Sequence, residues 1–104
     1  MSKLAILIKT RTQPGQRAAV YQLFEKHLAP RAAQNQGQAA AAFCLDETDP
    51  DTFYLFELYA SREAFEQAGQ QPWFWDYMKE AGPLLAGQPE VSLAQPAWVK
   101  GLPQ

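Results

Sequence analysis

The sequence predicts an α+β domain of the split βαβ kind, a four-stranded antiparallel sheet with helices on one face. Three observations predict it. Apolar runs of strand length occur at 4–10, 39–45, 53–59 and about 91–99, the first rich in β-branched and the third in aromatic residues. Segments with helical spacing lie between the first and second of these runs, and again between the third and fourth. The second and third runs are joined only by an acidic turn, which reads as a hairpin. The element order is therefore β-α-β-β-α-(α)-β. With 104 residues the chain buries about two thirds of its unfolded surface, enough for one modest core. No internal repeat or linker divides it, so residues 1–104 read as a single domain.

The first run, Leu-Ala-Ile-Leu-Ile-Lys-Thr, is short and closed by Gln13-Pro14-Gly15. Its alternate faces, Leu4, Ile6, Ile8 and Ala5, Leu7, Lys9, are both largely apolar. Pro14 suits the first turn of a helix, where a missing N–H costs nothing. That helix is expected to reach about Gln36, with Val20, Leu23, Phe24, His27 and Arg31 on one face and a kink or local opening at Pro30. Gly37 is its expected stop. The alanines of 39–42 favour helix by propensity, but the glycine before them and the turn after them favour a strand. The run 53–59, Phe-Tyr-Leu-Phe-Glu-Leu-Tyr, is the clearest strand in the chain. Ser61 then caps a helix. Gly69 interrupts it, and Pro72 starts another over 73–81. A short turn follows at Leu84-Leu85-Ala86. The last strand is expected over 91–99, held to an edge or a bulge by Pro96.

Helices from this order cover one sheet face only. Yet 53–59 is apolar on both faces, with Phe53, Leu55 and Tyr59 against Tyr54, Phe56 and Leu58. An open apolar face is rare in a monomer, so a second copy of the chain is the expected cover. Composition excludes several classes. The chain is 47% hydrophobic and 19% charged, which is globular and not disordered. A net charge of −2 argues against a nucleic-acid partner, which would be met by a basic face. No apolar run approaches the roughly 20 residues of a membrane span, and the N-terminus reads as a strand and not a signal peptide. The single cysteine, Cys44, and the single histidine, His27, exclude an intrachain disulfide and a Cys- or His-rich metal site. A cytoplasmic protein without metal is the expectation, and Cys44 is expected to be a buried, inert thiol.

Several stretches resemble the antibiotic biosynthesis monooxygenases, a family of dimeric α+β barrels that includes small quinol monooxygenases. They are Pro14-Gly15 before the first helix, Leu28-Ala29-Pro30 with Arg31-Ala32-Ala33, and the acidic hairpin Asp49-Pro50-Asp51 with Phe53 after it. The most specific is Phe56-Glu57-Leu58-Tyr59-Ala60-Ser61-Arg62-Glu63-Ala64-Phe65, similar to the family's Tyr-Glu-Val-Trp-x-Ser-x-Glu-Ala-Leu. Gln71-Pro72-Trp73-Phe74 resembles its Ser-Pro-His-Phe. The resemblance covers nearly the whole chain and implies a ferredoxin-like, homodimeric α+β barrel that acts on a small aromatic molecule without a cofactor. The departures are informative. Ala68 and Trp73 stand where the family often carries histidines. The quinone-forming branch's Asn, Trp and Tyr fall at Leu55, Tyr59 and Phe65. The haem-degrading branch's Asn, Trp and His fall at about Ile8, Ala68 and Met78, so haem degradation is not expected.

Two residues are candidate bases. Glu57 is a carboxylate in the middle of an apolar strand, on the same face as Leu55 and Tyr59. Burial there would raise its pKa toward a useful range; its other reading is a structural hydrogen-bond acceptor. His27 lies on the apolar stripe of the first helix, and is a natural proton carrier or a hydrogen-bonded core histidine. Leu55, Tyr59, Phe65, Trp73 and Tyr77 are candidate substrate-binding walls, since aromatic faces stack on planar phenols. Phe74 and Met78 read as core. Small side chains at 38–42 leave volume on a covered sheet face, filled by Trp73, Trp75 or Trp98 or left as ligand cavity. Asp46, Glu47, Asp49 and Asp51 lack the spacing of a cation loop and read as a solvated hairpin. The leading reading is a cofactor-independent monooxygenase of a phenol or quinol. The alternatives are a non-catalytic small-molecule-binding or stress-related protein on the same scaffold, and a structural dimerisation module.

Overall fold

Backbone chemistry at prolines and glycines sets where the elements begin and end. The computed structural model describes residues 3–101. Strand β1, Leu4–Arg11, runs into the turn in which Gly15 adopts a φ of +79°, a left-handed conformation that a helix cannot pass through. Helix α1 therefore starts at Arg17 and not at Pro14, and spans Arg17–His27. Pro30 does more than kink it. A continuing helix would need an N–H at position 30, and the proline ring would clash with the carbonyl one turn back. The chain breaks at Leu28 and restarts as α2, Ala29–Gln34, with Pro30 in the first turn, where no N–H is required. Asn35 then accepts a hydrogen bond from the Gly37 N–H at 2.8 Å. A Cβ at Gly37 would lie 2.9 Å from that of Ala64, so glycine is what allows β2 to pass so close to the following helix.

Strands β2, Gln38–Leu45, and β3, Thr52–Tyr59, form the expected hairpin. Ser61 accepts from the Ala64 N–H at 3.2 Å and caps α3, Arg62–Ala68. Pro72 opens α4, Pro72–Ala81, and a 3-10 turn at Gly82–Leu84 follows. The last strand, β4, is Glu90–Ala94. It stops well short of Val99, because Pro96 has no N–H for a ladder. Among the described residues the sheet is antiparallel in the order β2-β3-β1-β4, the ferredoxin-like arrangement. No helix among them is long and apolar enough to cross a membrane.

The helices lie on one face. Phe53 and Leu55 of β3 pack with Val20, Leu28, Tyr77 and Ala81, while Leu4, Ile6 and Tyr59 pack with Ala68. Phe43 stacks on Phe53 with ring centroids 4.4 Å apart and meets Phe24 and Tyr21 beyond it. The opposite face is mixed. Ala5 and Leu58 are buried, but Leu7 is 45% exposed, Tyr54 is exposed and Phe56 is half-buried. Cys44 lies opposite Tyr54 on this outward face of an edge strand, so it is exposed and not the buried thiol expected.

The acidic hairpin is built rather than merely solvated. The Asp46 carboxylate accepts from the Thr48 and Asp49 N–H groups and from the Tyr54 hydroxyl, at 2.7–3.1 Å. The Arg17 guanidinium donates to the carbonyls of Asp46, Asp49 and Thr52, fastening α1 to the turn. These donors, the Asp49 N–H foremost, hold the Asp46 carboxyl at about 2, below its ordinary 3.8. A lowered acid pKa stabilises the fold above the unfolded value, and the contribution is lost as pH falls through the folded one. The Thr48 and Asp49 amide shifts should therefore titrate together with a midpoint near 2, and a midpoint near 4 would mean that the cap is absent in solution.

Candidate functional site

Glu57 sits in the centre of the helix-covered face for a simple reason. The pleat that buries Phe53, Leu55 and Tyr59 turns residue 57 the same way. Its cross-strand neighbours are Ile6 on β1 and Ala41 on β2. Neither can pair with a charge, and Ala41 is too small to fill the space beside it. A cavity of about 420 Å³ results, within the range of about 300–1,000 Å³ usual for small-molecule sites. It runs between the two core clusters, beneath α1, α3 and α4.

Leu55, Glu57, Tyr59, Phe65, Trp73 and Tyr77 all line this cavity. The structure thus brings together the strand residues of the candidate site and the aromatic walls from two helices. Tyr59 and Phe65 meet edge to face at 5.5 Å. Phe74, Trp75 and Met78 contribute as well, Trp75 from an exposed position. Trp98 is 76% exposed and not among the lining residues, so it does not fill the volume left by the alanines.

His27 is placed elsewhere. Its Nε2 meets the Glu80 carboxylate of α4, which also lies 3.7 Å from the Lys26 ammonium. The hydrogen bond with His27, with Lys26 adding to it, holds the Glu80 carboxyl below its ordinary range. His27 does not line the cavity; it ties α1 to α4. Of the two candidate bases, Glu57 is the one that lines the cavity.

The electrostatics of the cavity follow from burial. Desolvation raises the Glu57 pKa above 4.5, and the neighbouring Tyr59 hydroxyl partly offsets this by favouring the charged form. Tyr59 is raised above 10.0, first by burial and then by the Glu57 charge. Tyr77 is pushed up to about 12 by the same two causes in the same order. Both phenols are therefore neutral near pH 7, and Glu57 is the carboxyl in the cavity, held above its ordinary range by burial. Such a carboxylate can accept a hydrogen bond from a ligand hydroxyl and take its proton.

Reading the sequence missed three polar lining residues, Thr10, Asn35 and Gln38. Gln38 lies opposite Tyr59 across the hairpin, and its one signal is that it is the polar residue of an otherwise apolar strand. Asn35 follows the end of α2, where a turn residue is unremarkable.

The fold and the cavity define a class: a ferredoxin-like α+β protein with a largely apolar chamber between its sheet and its helices. The family model of the antibiotic biosynthesis monooxygenases matches residues 4–80, and the chain belongs to that family. Its fold is shared with solved structures. A candidate antibiotic biosynthesis monooxygenase from Caulobacter crescentus superposes with a TM-score of 0.87 at 22% identity, over 93% of this chain and 92% of that one. Another, from Chloroflexus aurantiacus, gives 0.83 at 24% identity, over 96% and 98%. A protein of unknown function from Nitrosomonas europaea gives 0.81 at 26% identity, over 100% and 97%. No curated protein matches the chain.

Proposed function

We propose that the protein is a cofactor-independent monooxygenase of a small phenol or quinol, with Glu57 as its base. The observation that carries the reading is the one carboxylate that the described residues place at the centre of a largely apolar, aromatic-walled cavity. A flat ring fits between Trp73 and Tyr59, and its hydroxyl donates to Glu57. Loss of the phenolic proton to Glu57 leaves an electron-rich anion, which passes one electron to O2. The two radicals combine at the ring carbon beside the oxygen, forming a C–O bond. That carbon loses its proton as the O–O bond breaks, and water leaves. A quinol and O2 thus give a hydroxyquinone and water. The four electrons that reduce O2 all come from the substrate, so no further reductant is consumed. The protein's part is a dry chamber, orientation and a base.

Oxygen uptake with a panel of quinols and polyphenols tests this. Wild type should consume one O2 per quinol, and Glu57→Gln should lower the rate by roughly 10²–10⁴-fold, the usual contribution of a positioned base. Uptake unchanged in the variant would remove Glu57 from the mechanism. Saturable binding with no uptake would favour the alternative, a small-molecule-binding protein on the same scaffold.

The working form is proposed to be a homodimer, in which a second copy covers the outward sheet face around Leu7, Phe56 and Tyr54. Leu7 and Phe56 are cross-strand neighbours with Ala42 beyond them, an apolar stripe across three strands. Phe56→Glu should dissociate the pair, because burying an unpaired charge costs several kcal/mol. Light scattering at micromolar concentration should show the wild type at twice the monomer mass, and a folded wild-type monomer would contradict this.

A further inference from the structure

Beside the chamber that holds Glu57 lies a second cavity of about 290 Å³, open between α2 and α3. The two adjoin, since Asn35, Ala68 and Trp73 line both. Their chemistry is opposite. The inner chamber offers a carboxylate and aromatic walls. The outer one presents Arg31, Asn35, Gln67 and Gln71, and no acidic side chain among the described residues lines it. Arg31 forms no hydrogen bond or ion pair with the described residues. The Asn35 side-chain oxygen is used by the Gly37 N–H, so its amide donors remain for a ligand. The Gln67 side chain is likewise unpartnered among the described residues.

We propose that the ligand is a hydroxylated aromatic acid, with an anionic arm that leaves the inner chamber past Trp73 and meets Arg31 with the Asn35 and Gln67 amides. This rests on the phenol reading of the inner chamber and adds the class of substituent and its direction. An acceptor at the inner end and donors at the outer end select one orientation: hydroxyl inward, carboxylate outward. A guanidinium flanked by amide donors matches a planar carboxylate, and charge-assisted hydrogen bonds are about twice as strong as neutral ones. The same polarity opposes the reverse orientation, which would bring the ligand's anion against Glu57.

Calorimetric titration with 2-naphthol and with 6-hydroxy-2-naphthoic acid at pH 7 tests the arm. The acid should bind wild type roughly tenfold more tightly than the naphthol, the scale of one charge-assisted hydrogen bond. Arg31→Gln, at an exposed position, should remove that preference and leave 2-naphthol within about twofold of its wild-type affinity. Equal affinities in wild type, a preference that survives Arg31→Gln, or a loss shared by both probes would overturn the arm and leave the phenol reading standing. Binding of neither probe would overturn both.

Discussion

Phe53→Ala is expected to destabilise the protein by roughly 3–5 kcal/mol, the range for truncating a buried aromatic residue. Phe53 is 1% exposed, stacks on Phe43 and packs within the cluster that joins α1 and α4 to the sheet. Alanine removes the ring and leaves a void that backbone pairing on both sides prevents from closing. For a domain of this size Tm should fall by more than about 10 °C in a calorimetric scan. Its cross-strand neighbour Leu45 is 55% exposed, so Leu45→Ala should change stability by no more than about 0.5 kcal/mol. Similar effects at the two positions would mean that the core does not sit where the helices place it.

Glu57→Gln should do two opposite things: make the protein more stable and stop it working. The sign follows from proton linkage. Burial raises the Glu57 pKa above its unfolded value, so at pH values between the two the folded state holds more protons than the unfolded one. Stability then falls as pH rises through that window, and the cost is fully present once Glu57 is charged. Glutamine keeps the shape without the charge. The variant should therefore lose the pH dependence that wild type shows above about pH 4.5, and should melt at a higher temperature at pH 7. The wild-type rate should gain an acid limb whose midpoint lies above the ordinary carboxylate range, since the base must be ionised. A destabilised variant at pH 7 would identify Glu57 as a structural acceptor whose hydrogen bonds hold the strand in place.

Alternation carried most of the fold. In 53–59 the pleat places Phe53, Leu55, Glu57 and Tyr59 on one face, and that register already assembles half of the candidate site. The Ser61 cap and Pro72 start are local signals, and both elements begin where those residues put them. Other boundaries rest on competition between local signals. Pro14 and Gly15 point to different structures, and the left-handed glycine wins over the helix-starting proline. Pro30 reads as a kink or a local opening, and the helix breaks there, because the lost N–H coincides with the end of the apolar stripe. His27 has the spacing of a core residue, and its partner Glu80 is 53 positions away on another helix, beyond any local pattern. Cys44 reads as buried because its strand is apolar, but an edge strand of alanines has no helix over its outward face. The polar rim of Asn35 and Gln67 arises only when α2 and α3 meet, and no spacing in the chain anticipates it.

Glu57 facing a phenolic ligand is the claim on which the functional account turns, and a paired binding measurement reaches it most directly. Tryptophan fluorescence, reporting through Trp73 in the cavity wall, should follow titration with 2-naphthol and with 2-methylnaphthalene in wild type and Glu57→Gln. A hydrogen bond to a charged acceptor contributes roughly 1.5–3 kcal/mol, so the naphthol should lose about one to two orders of magnitude in affinity. The hydrocarbon, with the same shape and no hydroxyl, should bind both proteins alike. Equal naphthol affinities in wild type and variant would contradict the account and leave Glu57 a structural residue.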